Sequence, residues 1–285
     1  MTDPQRAEAS RIFHFVFGLR EQFEPFHILH YLCLASCFAV NHPDAIHFHY
    51  RHEPFGPWWE RIKPRLHLHR VSEPVAGFAP ERYLETEEGR LIERLGLHYA
   101  HESDFLRLDI LIAEGGAYAD MDTLFVRPFP DQWFTEAFVI GEENSPQTEA
   151  EIIRPSLCNA LMLAQPQSRF ALLWRQRMNS VFDGTWSRHS CVEAARVWQT
   201  IPECVRVLPS VYFFRHGASV AGFHDLFDLP AALHADADIY SIHLWAHLWW
   251  DDERTDFSPV HAAQIDEAWI RTRNCTVAQH ARQFL

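Results

Sequence analysis

The sequence predicts an α/β protein: one mixed, mostly parallel sheet with helical additions. Three observations carry this. Short apolar or aromatic runs at 12–17, 45–50 and 66–71 alternate with segments of helical spacing. A helical pattern over His98–Glu114 stops at Gly115-Gly116, directly before another short apolar run. The 285 residues are 47% hydrophobic and 22% charged, with no internal repeat and no low-complexity linker, so one substantial core and a single domain over 1–285 are expected.

In chain order, Ile12–Phe17 (IFHFVF) ends at Gly18 and reads as a buried first strand. Phe26–Ala39 has helical spacing, Pro43-Asp44 marks a turn, and Ala45–Tyr50 is a second strand. Pro54–Pro64 reads as loop or broken helix, and Leu66–Val71 as a third strand. Strands alternating with helix favour parallel pairing. Residues 77–97 are polar and helical in pattern, a lobe over the site. After the helix His98–Glu114, Ala117–Asp120 is a short strand, Ala137–Gly141 and Leu157–Leu163 are further strands, and Gln165–Met178 is a helix. Ser258-Pro259 suits a cap and first turn for a helical segment over 258–274.

Composition excludes several functions. The net charge of -13 argues against nucleic acid as a partner, because phosphate contacts rely on clustered Lys and Arg. The first ten residues hold no apolar signal-peptide core, and no apolar run reaches the roughly 18 residues of a membrane span. The six cysteines (33, 37, 158, 191, 204 and 275) form no CxxC pair and read as reduced, which fits a cytoplasmic location while leaving room for peripheral membrane association.

The chemistry concentrates in HYAHESDFLRLDILIAEGGAYADMDTLFVRPF, around Asp120-Met121-Asp122. If the strand continues that far, Tyr118, Asp120 and Asp122 share a face. Two carboxylates about 6 Å apart repel by roughly 3 kcal/mol at an effective dielectric near 20. A divalent cation removes that cost, and hard oxygen ligands suit Mg²⁺ or Mn²⁺. The ordinary alternative for such a tripeptide is a solvated turn. Here the tight Gly-Gly entry would place the pair at the carboxyl end of a strand, where α/β sheets bind ligands. Upstream, Asp104 and Arg107 lie three apart on one helix face. Leu108, Ile110, Leu111 and Ile112 make that helix apolar, so the pair is expected to be buried and in need of partners. Sugar hydroxyls offer both the donor and the acceptor these two would require.

Ser103-Asp104-x-x-Arg107, Ile110-Leu111 and Gly115-Gly116-x-Tyr118-x-Asp120-x-Asp122 resemble the sugar-binding DXD region of glycosyltransferase family 32. Related patterns occur in α-1,4-galactosyltransferases, yeast mannosyltransferases and the glucosyltransferase domains of large clostridial toxins. Ile12–Gly18 is similar to that family's first strand, commonly I-I-H-F-I-W-G. Asn159-Ala160-Leu161-Met162 resembles its Asn-containing strand, and Ile242-His243-Leu244-Trp245 its late His-and-Trp segment. The resemblance implies a GT-A-like fold, a UDP- or GDP-linked sugar donor, a Mn²⁺-type (or Mg²⁺) metal and transfer with retention. It implies that Asp104 and Arg107 bind the donor sugar, that Asp120 contacts sugar or ribose and approaches the metal, and that Asp122 ligates the metal, these four carrying catalysis. Phe15, Phe17, Tyr118, Asn159 and Trp245 are the further substrate-binding candidates. Phe17 stands where the family commonly has Trp. The acceptor would be a glycan, glycolipid or protein hydroxyl, with bacterial polysaccharide or glycolipid synthesis as the setting.

His243 is the third metal candidate, the imidazole of an apolar, Trp-rich run. If that run is helical, His243 and His247 share a face, but Leu244 where a zincin has Glu leaves that motif unsupported. His47-x-His49 and His67-x-His69 each put two imidazoles on one strand face. Without a Cys or Glu to complete a zinc site they are expected to be polar packing at a sheet edge. Two other functions fit parts of the pattern. A retaining glycosidase would need two carboxylates flanking one bond, which a single strand does not arrange well. A non-catalytic sugar-binding module would need no chemistry at all.

Overall fold

The computed structural model describes residues 10–71, 80–143, 156–230 and 238–285. β1 (Ile12–Val16) leads through Gly18 to α1 (Ile28–Ser36), whose first turn is capped by the His27 ring accepting from the Leu29 N–H. A π-helical turn, Cys37–Asn41, ends α1 short of the predicted Ala39 boundary without breaking the segment. β2 (Ala45–Tyr50) and β3 (His67–Arg70) flank α2 (Pro57–Ile62), which Pro57 opens at a position where its missing N–H costs nothing. The predicted lobe resolves into a 3₁₀ turn, Pro80–Leu84, and α3 (Glu87–Arg94), capped by Thr86; residues 77–79 lie outside the described residues.

α4 (His98–Glu114) ends where Gly115 and Gly116 adopt φ of 70° and 88°. A Cβ on Gly116 would sit 2.6 Å from the Ile12 carbonyl oxygen, so only glycine lets the chain enter the sheet here. β4 (Gly116–Ala119) follows, then β5 (Thr123–Phe125), β6 (Phe138–Glu143), β7 (Ser156–Ala164) and α5 (Arg169–Val181). α6 (Glu193–Thr200), β8 (Arg206–Leu208), α7 (Val220–Phe227), β9 (Ser241–His243), α8 (Glu267–Thr272) and α9 (Thr276–Ala281) complete the chain. The predicted 258–274 helix is therefore corrected to the short α8. The Ser258 hydroxyl accepts from Val260 N–H and closes a turn, whereas Asp266 accepts from Trp269 N–H and is the cap that starts a helix.

Seven strands form one sheet in the order β3-β2-β1-β4-β7-β6-β8. β1 runs parallel to β2 and β4, β2 to β3, and β6 to β8, while β7 is antiparallel to both β4 and β6. This is the expected mixed, mostly parallel α/β sheet. Period-two alternation sends Phe13, Phe15, Ile46 and Phe48 to the face packed against α1. Tyr118, Met162 and the α4 residues Phe105, Leu108 and Leu111 pack on the other face with α5 and α6. A separate two-stranded ribbon pairs β5 with β9 in antiparallel register, Thr123 opposite His243.

Candidate active site

The strand does not run through the DxD. β4 stops at Ala119, and the chain turns at Met121-Asp122 with the Thr123 N–H bonded to the Asp120 carbonyl. The turn, rather than strand alternation, brings the carboxylates together. It also hands Asp122 directly to β5, and β5 to β9. The late segment is locked to it: Leu244 N–H donates to the Asp122 backbone carbonyl, and Ala246 N–H donates to Asp122 Oδ2 at 2.7 Å. His243, which would share a face with His247 if its run were helical, ends β9 instead. Its Nε2 lies 3.1 Å from Asp122 Oδ1 and 4.0 Å from Asp120 Oδ2. One ligand atom from each of Asp120, Asp122 and His243 lies within 4.8 Å of the other two. His247, in the 3₁₀ turn Ala246–Leu248, stacks on Trp186 and is not among these three.

The charges of the three are strongly interdependent. Burial and the neighbouring Asp122 push the Asp120 carboxyl up, against the pull of Arg107. Burial also opposes the Asp122 charge, but His243 and the Ala246 N–H outweigh it and hold that carboxyl far below its ordinary range. His243 is raised in return, Asp122 overcoming the desolvation of the ring. Two carboxylates and an imidazole are a donor set for Mn²⁺ and, less well, Mg²⁺, since an imidazole suits softer ions. The elevated carboxyl of Asp120 is the strain a cation would relieve.

Beside this turn, Asp104 and Arg107 are buried as expected, but their partners are protein groups. Arg107 Nη1 donates to the Asn159 carbonyl at 2.9 Å and lies 3.2 Å from Asp120 Oδ1; Nη2 reaches Asp104 Oδ1 at 3.1 Å. Asp104 Oδ1 also accepts from Asn159 Nδ2 at 2.7 Å, and Oδ2 lies 3.0 Å from His189 Nε2. Burial raises the Asp104 carboxyl, while Arg107 and His189 more than reverse that, so it stays ionised. His189 is fully buried, and nothing in its sequence surroundings marks it. Only the fold shows that this turn before α6 meets α4.

Asp104, Arg107, Asp120, Asp122, Asn159 and Trp245 all line one cavity of about 980 Å³, and Phe17 lines it too, against His30. Two candidates do not line it. Phe15 faces the α1 core with no exposure, because strand alternation turns it away from the side Val16 occupies. It is corrected to a core residue. Tyr118 is likewise buried; its hydroxyl donates to Asp120 Oδ1 at 2.7 Å and its ring lies under the Arg107 guanidinium, so it positions those two instead of touching a ligand in the cavity. Trp245 is held by its Nε1 donating to the His216 carbonyl and by a backbone φ of 53°. The His30–Trp250 stack, with centroids 4.7 Å apart, adds an aromatic wall that the sequence did not single out.

Residues 33–139, which hold α4, the Gly-Gly entry and the DxD turn, match the family model of a glycosyltransferase sugar-binding region containing a DXD motif. Over these residues the chain carries the DXD-containing region of this glycosyltransferase family. A particular relative, "Glucan organizing enzyme 1" of Cryptococcus neoformans var. grubii serotype A, is 32% identical over 248 residues, covering 82% of this chain. The chain spans about 62% of the length of that curated relative. Among solved structures, "PaToxG Glycosyltransferase" is similar with a TM-score of 0.45 at 14% identity, covering 68% of this chain and 70% of that one.

Proposed function

We propose that this chain transfers a hexose from a UDP- or GDP-linked donor to an acceptor hydroxyl in a divalent-metal-dependent reaction that retains the anomeric configuration. The observation that carries it is the meeting of Asp120, Asp122 and His243 on the wall of a cavity of about 980 Å³, at the upper end of small-molecule sites. Those three residues would hold Mn²⁺ or Mg²⁺, whose charge would offset the negative charge building on a departing nucleoside diphosphate. Asp104 and Arg107, pinned by Asn159 and His189, form a rigid polar floor for the hexose. Rigid placement of the anomeric carbon against the acceptor is itself a large part of such a catalyst's effect. Phe17, with His30 and Trp250 near it, offers the aromatic surface a nucleobase would stack on. Asp104 has both oxygens engaged and carries no free nucleophilic role, which favours front-face attack with the leaving phosphate taking the acceptor's proton.

A polysaccharide or glycolipid hydroxyl is the proposed acceptor, and the name of the fungal relative makes glucans the first to try. The cysteines are free, which supports a reducing, cytoplasmic setting, and no helix among the described residues is long and apolar enough to cross a membrane. The test is incubation with Mn²⁺ and a panel of UDP- and GDP-sugars, measuring free nucleotide with and without acceptor. Release with one donor, abolished by EDTA, is expected. A glycosidase would act without metal, and a sugar-binding module would release nothing.

A further inference from the structure

A second group of metal-ligating side chains lies outside the site just described and shares no residue with it. Parallel register aligns His14 of β1 with His47 of β2, His47 with His67 of β3, and His49 with His69. The result is a patch of imidazoles on the sheet face that α4 covers. His14 is fully buried and His49 nearly so, while His47 keeps some exposure at the edge. One ring nitrogen from each of His14, His47 and His49 lies within 4.8 Å of the other two.

We propose that these three imidazoles form a binding site for a Zn²⁺-class transition-metal ion. The hydrogen bonds around them carry the argument. His14 Nε2 lies 2.9 Å from the Gly115 carbonyl oxygen, which can only accept, so Nε2 bears the proton and Nδ1 presents a lone pair. His47 Nδ1 lies 3.0 Å from Glu114 Oε2, which leaves its Nε2 as the lone-pair nitrogen. A carbonyl or carboxylate behind each ring is the arrangement that fixes and strengthens metal-bound histidine. His14 Nδ1 and His49 Nε2 are 3.2 Å apart. Two nitrogens on one tetrahedral zinc at 2.0–2.1 Å would be about 3.4 Å apart, so little movement is needed. On binding, the proton that His49 Nε2 shares with His14 moves to Nδ1 of the same ring.

A fourth position falls to water or to His69, whose ring lies 4.5 Å from that of His47 and stacks 5.0 Å from that of His49. His69 Nε2 is buried without a hydrogen-bond partner, which leaves it available to an ion. Burial, aided by the neighbouring imidazoles, keeps His14 down at about 4 and His49 at about 3. The rings are therefore neutral near pH 7, the form that binds metal. All-imidazole donors suit Zn²⁺, Cu²⁺ or Ni²⁺ better than the harder Mn²⁺ or Mg²⁺ that the DxD turn fits. The Glu that the His-x-His strands lack in sequence comes from the last residue of α4.

The experiment uses the full chain with Asp122→Asn, stripped with chelator and titrated with Zn²⁺ alone by calorimetry. One equivalent is expected to bind and to raise the melting temperature. Glu114→Gln should weaken that binding roughly tenfold to hundredfold, as loss of a ligand's orienting partner does. His47→Gln, at the exposed edge, should weaken it more. A second measurement guards against misfolding of these variants: the chain with no substitution, loaded with Co²⁺, should show the intense visible absorption of a tetrahedral site. No stoichiometric Zn²⁺ in Asp122→Asn, binding unchanged in His47→Gln, or only weak octahedral Co²⁺ bands would each overturn the proposal.

Discussion

His243 Nε2 sits 3.1 Å from Asp122 Oδ1, joining two residues separated by 121 positions into one part-buried ion pair. In the proposed function both residues would hold the metal, and His243 would have to give up its proton to do so. His243→Ala should therefore raise the Mn²⁺ concentration for half-maximal activity more than tenfold, in line with the roughly 10- to 100-fold cost of disturbing metal-site partners. His247→Ala, four residues on and stacked on Trp186, should leave it unchanged. Equal effects of the two substitutions would remove His243 from the ligand set.

The two aspartates should separate in stability while agreeing in activity. Asp120→Asn and Asp122→Asn should both abolish metal-stimulated release of nucleotide. Asp120 is pushed up by burial and by Asp122, so neutralising it should leave the metal-free melting temperature within a few degrees. Asp122 is the anchor of His243 and of the Ala246 N–H, so its neutralisation should lower the melting temperature clearly. Thermal melts in EDTA check this, and a larger loss in Asp120→Asn would contradict it.

Arg107→Lys keeps a charge but loses the planar fork that reaches Asn159, Asp104 and Asp120 together. Turnover with an intact sugar nucleotide should fall at least a hundredfold, while calorimetric binding of the free nucleoside diphosphate stays within a few-fold. If both weaken equally, the side chain serves the phosphates or the fold instead of the sugar.

Acidification should destabilise the metal-free protein well before the low-held carboxylates Asp104 and Asp122 titrate. Burial holds His14, His30 and His247 at about 4 and His49 and His101 at about 3, all below the ordinary 6.5. Between about 6.5 and 4 the unfolded chain binds protons that the folded chain does not, so stability is complete above that window and lost through it. Asp104 and Asp122, held low, withdraw their contributions only further down. His243 and Asp120 act oppositely, their raised values favouring the fold on the acid side, but they are outnumbered by these five rings together with His27 and His47, which burial also lowers. Urea unfolding at pH 7 and pH 5 should show a distinctly lower free energy at pH 5; equal values would mean that the five rings are protonated in place.

Much of the fold was readable because burial imposes regular patterns on β1, β2 and α4, and because Gly115-Gly116 permits a backbone that other residues resist. Asp104, Arg107, Asp120 and Asp122 were likewise visible as one local constellation. What stayed hidden depends on distant contacts. The run from Ile242 to Trp250 could be helical by its spacing, yet β5 claims Ser241–His243 as a strand and only a 3₁₀ turn, Ala246–Leu248, follows, so pairing outweighs local preference. His189 carries no signal at all until α6 is brought beside α4. Phe15 was misassigned for a simple reason: the resemblance marks the strand, and strand alternation decides which side chains see the cavity.

The ribbon of β5 and β9 has a consequence for how the molecule is made. The seven strands of the large sheet are all present once Leu208 has been synthesised, whereas the partner of the DxD turn begins only at Ser241. Chains emerge N-terminus first, and pairings between distant segments form late. A nascent chain can thus build its sheet while the aspartates of the turn still lack His243 and the Ala246 N–H. A chain interrupted near residue 238 would hold every strand of the large sheet, yet it would lack both His243 and core residues such as Trp249, Ile270 and Val277 that pack with α1.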